Sequence, residues 1–161
     1  MGTRIRAARR ADAKAFLSLV VALAEFEKIT PPGAAARRRL LADAFKRRPL
    51  YTLWVAELDG RVVAYAIFFF TYSSFLARPT LYLEDLFVHP DARGRGVATA
   101  IMRSLAREAR RKGCGRFEWT VLDWNERAIR FYRALGAKEM KEWILCRVTG
   151  AALERMAAPS R

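Results

Sequence analysis

Residues 81–100 read LYLEDLFVHPDARGRGVATA and carry the strongest structural signal in the chain. An apolar run from Leu81 to Val88 ends in a turn with two Arg-Gly pairs, and a helical pattern then begins near Thr99. A strand that enters a glycine-containing turn at a helix start leaves several backbone N–H groups without partners, and the helix dipole adds partial positive charge there. This stretch therefore predicts an anion site in the turn.

The two glycines suit a diphosphate. Gly94 and Gly96 lack the Cβ atoms that would hold it away from the N–H groups, and Arg93 and Arg95 can add charge-assisted contacts. The spacing excludes a P-loop, which needs Gly-x-x-x-x-Gly-Lys-Ser/Thr, and the dinucleotide fingerprint Gly-x-Gly-x-x-Gly. A helix start whose glycines serve only packing is the structural alternative.

Periodic apolar residues on both sides of this stretch predict alternating helices and strands. We expect helices over 11–26, 34–45, 99–111 and 127–135. We expect strands over 3–7, 51–57, 61–71, 81–88, 116–121 and 142–148. Asp59-Gly60 is a strong hairpin signal between two of these strands, because both residues tolerate positive φ. The predicted fold class is mixed α/β, in the α+β sense.

Length and composition indicate a single domain over residues 1–161, since 53% of the residues are hydrophobic and no linker composition appears. The apolar runs are shorter than the ~20 residues of a membrane span. We expect a cytoplasmic protein with no membrane partner. Cys114 and Cys146 are expected to be buried or inert thiols outside any disulfide framework, and a chain with His89 as its one histidine is not expected to bind a metal.

The formal net charge of +14 favours anionic partners. The arginines are scattered over most predicted helices, which indicates solvated helix faces more than nucleic-acid binding. A basic nucleic-acid-binding module stays open as a second hypothesis of a different class.

The segment from Val88 to Ala98 resembles the acetyl-coenzyme A loop of the GNAT acetyltransferases, Arg/Gln-x-x-Gly-x-Gly/Ala. YLED at 82–85, WN at 124–125 and FY at 131–132 resemble the spermidine/spermine (diamine) N-acetyltransferases and their thialysine-acetylating relatives. The resemblance implies a mainly antiparallel central sheet flanked by helices and splayed at the strands before and after the cofactor-loop helix. It implies a homodimer that transfers acetyl from acetyl-CoA to a small-molecule primary amine by direct attack, without a metal; a protein or peptide amine is the alternative acceptor.

The resemblance also assigns residues. Cofactor contacts are implied for Leu86, Phe87, Val88, Arg93, Gly94, Arg95, Gly96, Val97, Ala98, Thr99, Asn125, Ala128 and Tyr132. Substrate contacts are implied for Phe26, Glu27, Glu84, Glu118, Trp119 and Thr120. Leu135 departs from the pattern, because the family places a positively charged residue there; Arg130 or Arg133 would have to supply that charge.

Acetylation of an amine requires two proton transfers. A primary alkyl amine has a pKa near ~10.4, so the site must remove a proton at neutral pH. The resemblance makes Glu84 this base, directly or through water, and strand alternation predicts that its carboxylate faces away from Leu83 and Asp85, on the side of Tyr82 and Leu86. A partly exposed strand carboxylate is the structural alternative.

The leaving thiolate needs a proton in return. Tyr132 is the candidate acid, on a helix that Asn125 is expected to cap. The alternative for Tyr132 is a core aromatic whose hydroxyl finds a hydrogen-bond partner. Local carboxylates must also outweigh the net positive charge of the chain if the substrate is a cationic amine.

Overall fold

The computed structural model describes residues 2–159, and within them five strands form one sheet in the order β1-β2-β3-β4-β5. The strands are β1 (Arg4–Ala7), β2 (Thr52–Leu58), β3 (Arg61–Ser73), β4 (Arg78–Val88) and β5 (Arg116–Trp119). The helices are α1 (Ala13–Phe26), α2 (Ala34–Phe45), α3 (Val97–Arg111), α4 (Glu126–Ala134) and α5 (Gly150–Ala157). Short 3-10 turns, Arg10–Asp12 and Pro90–Ala92, precede α1 and the turn before α3.

The chain divides after Thr120 into two compact units. The first unit holds the whole sheet with α1, α2 and α3, and the second holds α4 and α5. A single domain over residues 1–161 stays a prediction. Among residues 2–159, none of the helices has both the length and the apolar composition that crossing a bilayer requires.

The sheet is mixed and mainly antiparallel. β1 to β4 pair antiparallel with their neighbours, and β4 pairs parallel with β5. The β2–β3 hairpin turns at Asp59 and Gly60, whose φ angles are 51° and 76°. Positive φ at both central residues matches the twist of a two-residue hairpin, so the prediction made from Asp59-Gly60 is confirmed.

Helix α1 covers one face of this sheet. Phe16 and Leu19 are buried and form a core cluster with Val55, Tyr65 and Phe87. The ring of Phe16 meets the ring of Tyr65 edge to face, with centroids 5.1 Å apart. Each fully buried side chain of this kind stabilises the fold by roughly 1.5–3 kcal/mol, so the cluster fixes α1 against β3 and β4.

Helix α3 buries a stripe of apolar residues at intervals of four. Val97, Ile101 and Leu105 are at most 2% exposed, and α3 contacts β1, β4 and β5. The polar residues of α3 lie on its solvent side, as expected for an amphipathic helix. This packing fixes the start of α3 beside the end of β4.

Strand β4 is irregular at Glu84. Phe68 on β3 pairs with Leu83, and the preceding Ile67 pairs with Asp85, so Glu84 is an extra residue in the ladder and forms a β-bulge. The parallel pairing with β5 stops at Leu83–Trp119, whereas β4 continues to Val88. The edge of β4 beyond the bulge is therefore free of β5, which is the splay that the resemblance implied.

The prediction of a strand over residues 142–148 is wrong. The structure has no strand among the described residues after β5, and Trp143, Ile144 and Leu145 are exposed in irregular chain. Strand propensity measures how well a residue fits a paired, half-buried sheet surface, and this segment pairs with no other strand in the described chain. Helix α5, which follows, was not predicted.

Candidate active site

The turn before α3 has the backbone that the two glycines permit. Gly94 and Gly96 have φ angles of 75° and 77°, in the left-handed region, and Gly96 is the N-cap of α3. No side chain of the described residues caps this helix. The first N–H groups of α3 are therefore directed outward without an intrahelical acceptor, and the helix dipole favours an anion at the same place.

Open space lies in front of this turn. A Cβ atom built on Gly94 or on Gly96 would meet no protein atom within 4 Å. Contacts inside the described chain therefore do not explain why glycine occupies these positions; their positive φ angles do. An alanine there would project a methyl group into the space that a bound diphosphate would need.

Arg93 and Arg95, the two arginines of the turn, have partners within the protein. Arg95 donates to the Asp59 carboxylate at 3.0 Å. The Arg93 guanidinium lies over the rings of Phe26 and Phe87, at 5.4 and 5.5 Å from their centroids, and its Nε donates to the Val88 carbonyl at 3.0 Å. The anion cradle in this structure is therefore made of main chain, and Arg93 joins it to the end of α1.

The free edge of β4 leads directly to this turn. Leu86, Phe87 and Val88 lie beyond the bulge, at an edge that β5 no longer pairs with. Backbone N–H and C=O groups that alternate toward this edge can bind an extended ligand as an added strand. The structure thus brings Leu86 to Thr99, the predicted cofactor residues of the first unit, together along one edge.

The bulge changes where the carboxylates point. Tyr82 pairs with Phe69 and Leu86 pairs with Ala66, and these two partners are three residues apart on β3. Tyr82 and Leu86 therefore lie on opposite faces of the sheet. The expectation that Glu84 shares one face with both is wrong, because a bulge at Glu84 reverses the alternation; Glu84 itself is exposed.

Sequence reasoning assigned no role of its own to Asp85, the carboxylate next to Glu84. Asp85 pairs with Ile67 and is partly buried, and the Tyr65 hydroxyl donates to Asp85 Oδ2 at 3.4 Å. Burial, followed by the charges of Glu84 and Glu27, raises the pKa of Asp85 to about 6. The only signal in the sequence is two consecutive acidic residues within an apolar strand, and alternation does not show which of the two is buried.

The predicted substrate residues of the first unit fall into two places. Phe26 and Glu27 lie at the end of α1, where Phe26 meets Arg93 and Glu27 acts electrostatically on Asp85. Glu118 and Trp119 lie at the end of β5. Glu118 forms an ion pair with Arg116 at 2.9 Å, and the Trp119 ring meets the Phe117 ring at an angle of 59° with centroids 4.8 Å apart. Thr120 follows β5 and is exposed.

Helix α4, in the second unit, carries the remaining predicted residues. The Asn125 side chain accepts from the Ala128 N–H at 3.2 Å, so the predicted N-cap is confirmed. Burial raises the pKa of Tyr132, which keeps its hydroxyl protonated and able to donate. Arg130 and Arg133 form ion pairs with Glu126 and Glu139.

The histidine and the two cysteines are not among the predicted site residues. Among residues 2–159, no group of three or more His, Cys, Asp or Glu side chains is placed to hold a metal ion. The His89 ring accepts from the Asp91 N–H at 3.4 Å, shortly before the turn that contains Gly94 and Gly96. Cys114 and Cys146 are free cysteines; Cys114 is partly buried, whereas Cys146 is exposed, so burial was wrongly expected for Cys146.

The free edge of β4 beyond the bulge ends beside an uncapped, glycine-containing helix start, and such a helix start can bind an anion. A family model described as the acetyltransferase (GNAT) family matches residues 19–137. The chain belongs to this family and is an N-acetyltransferase.

Several acetyltransferases align with most of this chain. The thialysine N-ε-acetyltransferase of Mus musculus is 37% identical, and the alignment covers 96% of this chain and 97% of that protein. The thialysine N-ε-acetyltransferase of Bos taurus is also 37% identical, over 95% and 96% of the two chains. The L-ornithine N5-acetyltransferase of Arabidopsis thaliana is 44% identical over 60% of this chain and 42% of its own.

Solved structures share the fold at lower identity. An integron cassette protein from V. cholerae superposes with a TM-score of 0.82 at 23% identity and covers 99% of both chains. An aminoglycoside N-acetyltransferase solved in complex with CoA gives a TM-score of 0.74 at 21% identity, over 91% of this chain and 95% of that one. These likenesses confirm the predicted fold.

Proposed function

We propose that this protein transfers acetyl from acetyl-CoA to the primary amine of a small molecule, of the class of thialysine, ornithine or a short diamine. The observation that carries the proposal is the main-chain cradle at Gly94 and Gly96, which lies at the end of a β4 edge that β5 has left free. The names of the relatives that match most of the chain support the amine class.

The residues present fit acetyl-CoA. The outward N–H groups between residues 94 and 99 would hold its diphosphate, and the main chain of Leu86 to Val88 would bind the pantetheine arm along the free edge of β4. Asn125 and Ala128 would add contacts from the start of α4. When bound, acetyl-CoA supplies the acetyl thioester. The first-unit residues would therefore align the ligand so that its acyl end lies toward Glu84.

The proposed reaction is a direct transfer in a ternary complex. Glu84 accepts a proton from the substrate ammonium, directly or through water, and the free amine then attacks the acetyl carbonyl. A C–N bond forms as the C–S bond breaks, and Tyr132 donates its hydroxyl proton to the leaving sulfur. Burial raises the pKa of Tyr132, so its hydroxyl carries a proton at neutral pH and has one to donate.

The amine would lie between the end of α1 and the end of β5. Phe26 and Glu27 are proposed to contact it from α1, together with Glu84 from β4. Glu118, Trp119 and Thr120 would contact it from the end of β5. The carboxylates near the site supply the local negative charge that a cationic amine needs in a protein of net charge +14.

A thiol-release assay with acetyl-CoA tests this proposal. The panel contains thialysine, ornithine, lysine, 1,4-diaminobutane, spermidine and a lysine-containing peptide, each with mass-spectrometric detection of the acetylated product. We expect turnover with at least one small amine and less with the peptide. If none of the small amines caused thiol release and the protein retained RNA or DNA in a salt-sensitive way, the proposed activity would be refuted and the nucleic-acid-binding hypothesis favoured.

Three features of organisation remain predictions. A homodimer is expected from the resemblance, and light scattering on the purified protein would measure it. A single domain predicts one cooperative unfolding transition over the whole chain. The cytoplasmic location is to be tested by fractionation.

A further inference from the structure

Arg93 holds the start of the turn before α3 against two other elements. Its guanidinium lies over the ring of Phe87 on β4 and over the ring of Phe26, the last residue of α1. Its Nε donates to the Val88 carbonyl at 3.0 Å, and its backbone N–H donates to the Pro90 carbonyl at 3.1 Å. Both the side chain and the backbone of Arg93 are therefore fixed immediately before the first glycine of the turn.

The turn that follows Arg93 has much conformational freedom of its own. Glycine adopts positive and negative φ with similar ease, so Gly94 and Gly96 have many conformations in which their N–H groups would point elsewhere. Arg95 restrains the middle of the turn through Asp59, and Arg93 restrains its start. A site that is ordered before its ligand binds loses less entropy on binding. The contacts of Arg93 should therefore increase the affinity of the turn for a diphosphate.

The two rings that Arg93 contacts differ in how firmly they are held. Phe87 is 4% exposed and belongs to the core cluster under α1. Phe26 is 37% exposed, and the chain leaves α1 just after it through Lys28, whose φ of 58° is typical of a helix C-terminus. Phe87 is therefore a fixed support for Arg93, whereas the position of Phe26 depends on the end of α1.

We propose that Phe26 is a positioning residue for acetyl-CoA: its ring restrains the Arg93 guanidinium, and Arg93 restrains the turn before α3. Phe26 is also proposed to contact the amine, so the same ring links the two ligand sites. An amine that packs on the exposed part of the ring restrains it further, and each ligand then binds more tightly when the other is bound. This inference rests on the proposed function and deepens it.

A double-mutant cycle on CoA affinity tests the contact between Phe26 and Arg93. Phe26→Leu keeps an apolar side chain and removes the ring face, and Arg93→Met keeps a long side chain and removes the charge. On the scale of a partly exposed cation–π contact, isothermal titration should show the Kd for CoA rise about 2- to 10-fold in Phe26→Leu. In the Arg93→Met background the same replacement should change the Kd little, because its effect requires the guanidinium.

Two further variants separate positioning from a general loss of stability. Phe26→Tyr keeps the ring face, and its hydroxyl can reach solvent, so its Kd for CoA should stay within about twofold of the wild type. Phe45→Leu removes a similar contact at the end of α2, where the Arg10 guanidinium lies 5.6 Å from the centroid of the Phe45 ring. It should leave the Kd for CoA unchanged even where thermal unfolding shows a lower Tm. All titrations are run at a temperature at which every variant is folded.

The link between the two ligand sites has a measurement of its own. The Kd for CoA is measured with and without a saturating amine, which is whichever of thialysine, ornithine and 1,4-diaminobutane is acetylated fastest. We expect the amine to lower this Kd several-fold in the wild type and to have little effect in Phe26→Leu. An equal Kd with and without the amine in an active wild type would overturn the inference.

The results also distinguish failure of the inference from failure of the proposed function. If Phe26→Leu changes the Kd for CoA by the same factor with and without Arg93→Met, or not at all, in a protein that acetylates an amine, the inference is overturned and the proposed function stands. If the wild type binds CoA and acetylates no amine, the proposed function fails, and the double-mutant cycle still decides whether Phe26 positions the turn. A wild type that does not bind CoA overturns both.

Discussion

Replacing Gly96 by Ala separates backbone strain from ligand contact. Gly96 and Gly113 have φ angles of 77° and 69°, and a Cβ on either would meet no protein atom within 4 Å. Gly96 begins α3 in the proposed cradle, whereas Gly113 follows the end of the same helix. Gly113→Ala is therefore a matched control, with the same conformational cost and no ligand nearby.

The magnitudes of the two effects differ. A left-handed conformation costs an alanine roughly 1–2 kcal/mol, so both variants should unfold at a Tm lower by about 2–8 °C. In Gly96→Ala the added methyl group should also displace the diphosphate of the proposed complex from at least one N–H group. A hydrogen bond to a charged group contributes about 1.5–3 kcal/mol, so the Kd for CoA should rise roughly 10- to 100-fold.

Isothermal titration with CoA and thermal unfolding together measure both effects. We expect equal losses of Tm in Gly96→Ala and Gly113→Ala and a weaker Kd only in Gly96→Ala. Equal CoA affinity in the two variants would refute the reasoning, because the open space before Gly96 would then hold no part of the ligand.

Three other substitutions test the proton chemistry and the buried carboxylate. Tyr132→Phe should lower kcat about 10²- to 10⁴-fold with little change in the KM for acetyl-CoA; full turnover in steady-state assays would exclude Tyr132 as the acid. Glu84→Gln should slow the reaction most at neutral pH and least at high pH, where free amine is abundant; an unchanged pH–rate profile would remove Glu84 as the base. Asp85→Asn should raise the free energy of unfolding at pH 7 by up to about 3 kcal/mol, because a pKa raised in the folded state makes stability fall as pH rises from about 4 to above 6. Urea unfolding should show this difference vanish near pH 4, and a difference independent of pH would contradict it.

Local patterns predicted the elements that local interactions determine. Helix α2 spans Ala34–Phe45, as its apolar spacing between Gly33 and Pro49 predicted, and the Asp59-Gly60 hairpin formed as expected. Helix α3 begins at Val97, two residues before the predicted Thr99, because Gly96 adopts the left-handed conformation of an N-cap and the helical bonds start at once. The conformation of the turn before α3 was also predictable, since it depends on Gly94, Gly96 and a helix start.

Features that depend on distant pairing were not predictable in the same way. The bulge at Glu84 arises from the pairing of β4 with β3. The sequence of β4 alone does not reveal this one-residue shift of register, because Glu84 and Asp85 are both acidic and either could face the core. The burial of Asp85, its contact with Tyr65 and its raised pKa all follow from that shift. Residues 142–148 show the same limit in another way. Their apolar sequence favours a strand, but no strand of the described chain pairs with them.

The most direct test of the account observes the cradle amides themselves. Backbone 1H–15N spectra would be recorded during titration with CoA and, separately, with pantetheine, which shares the arm and lacks the diphosphate. The account predicts that the N–H signals of Gly94, Gly96 and Val97 shift strongly with CoA and little with pantetheine, while those of Leu86 to Val88 respond to both. Unmoved signals at Gly94, Gly96 and Val97 when CoA is saturating would contradict it.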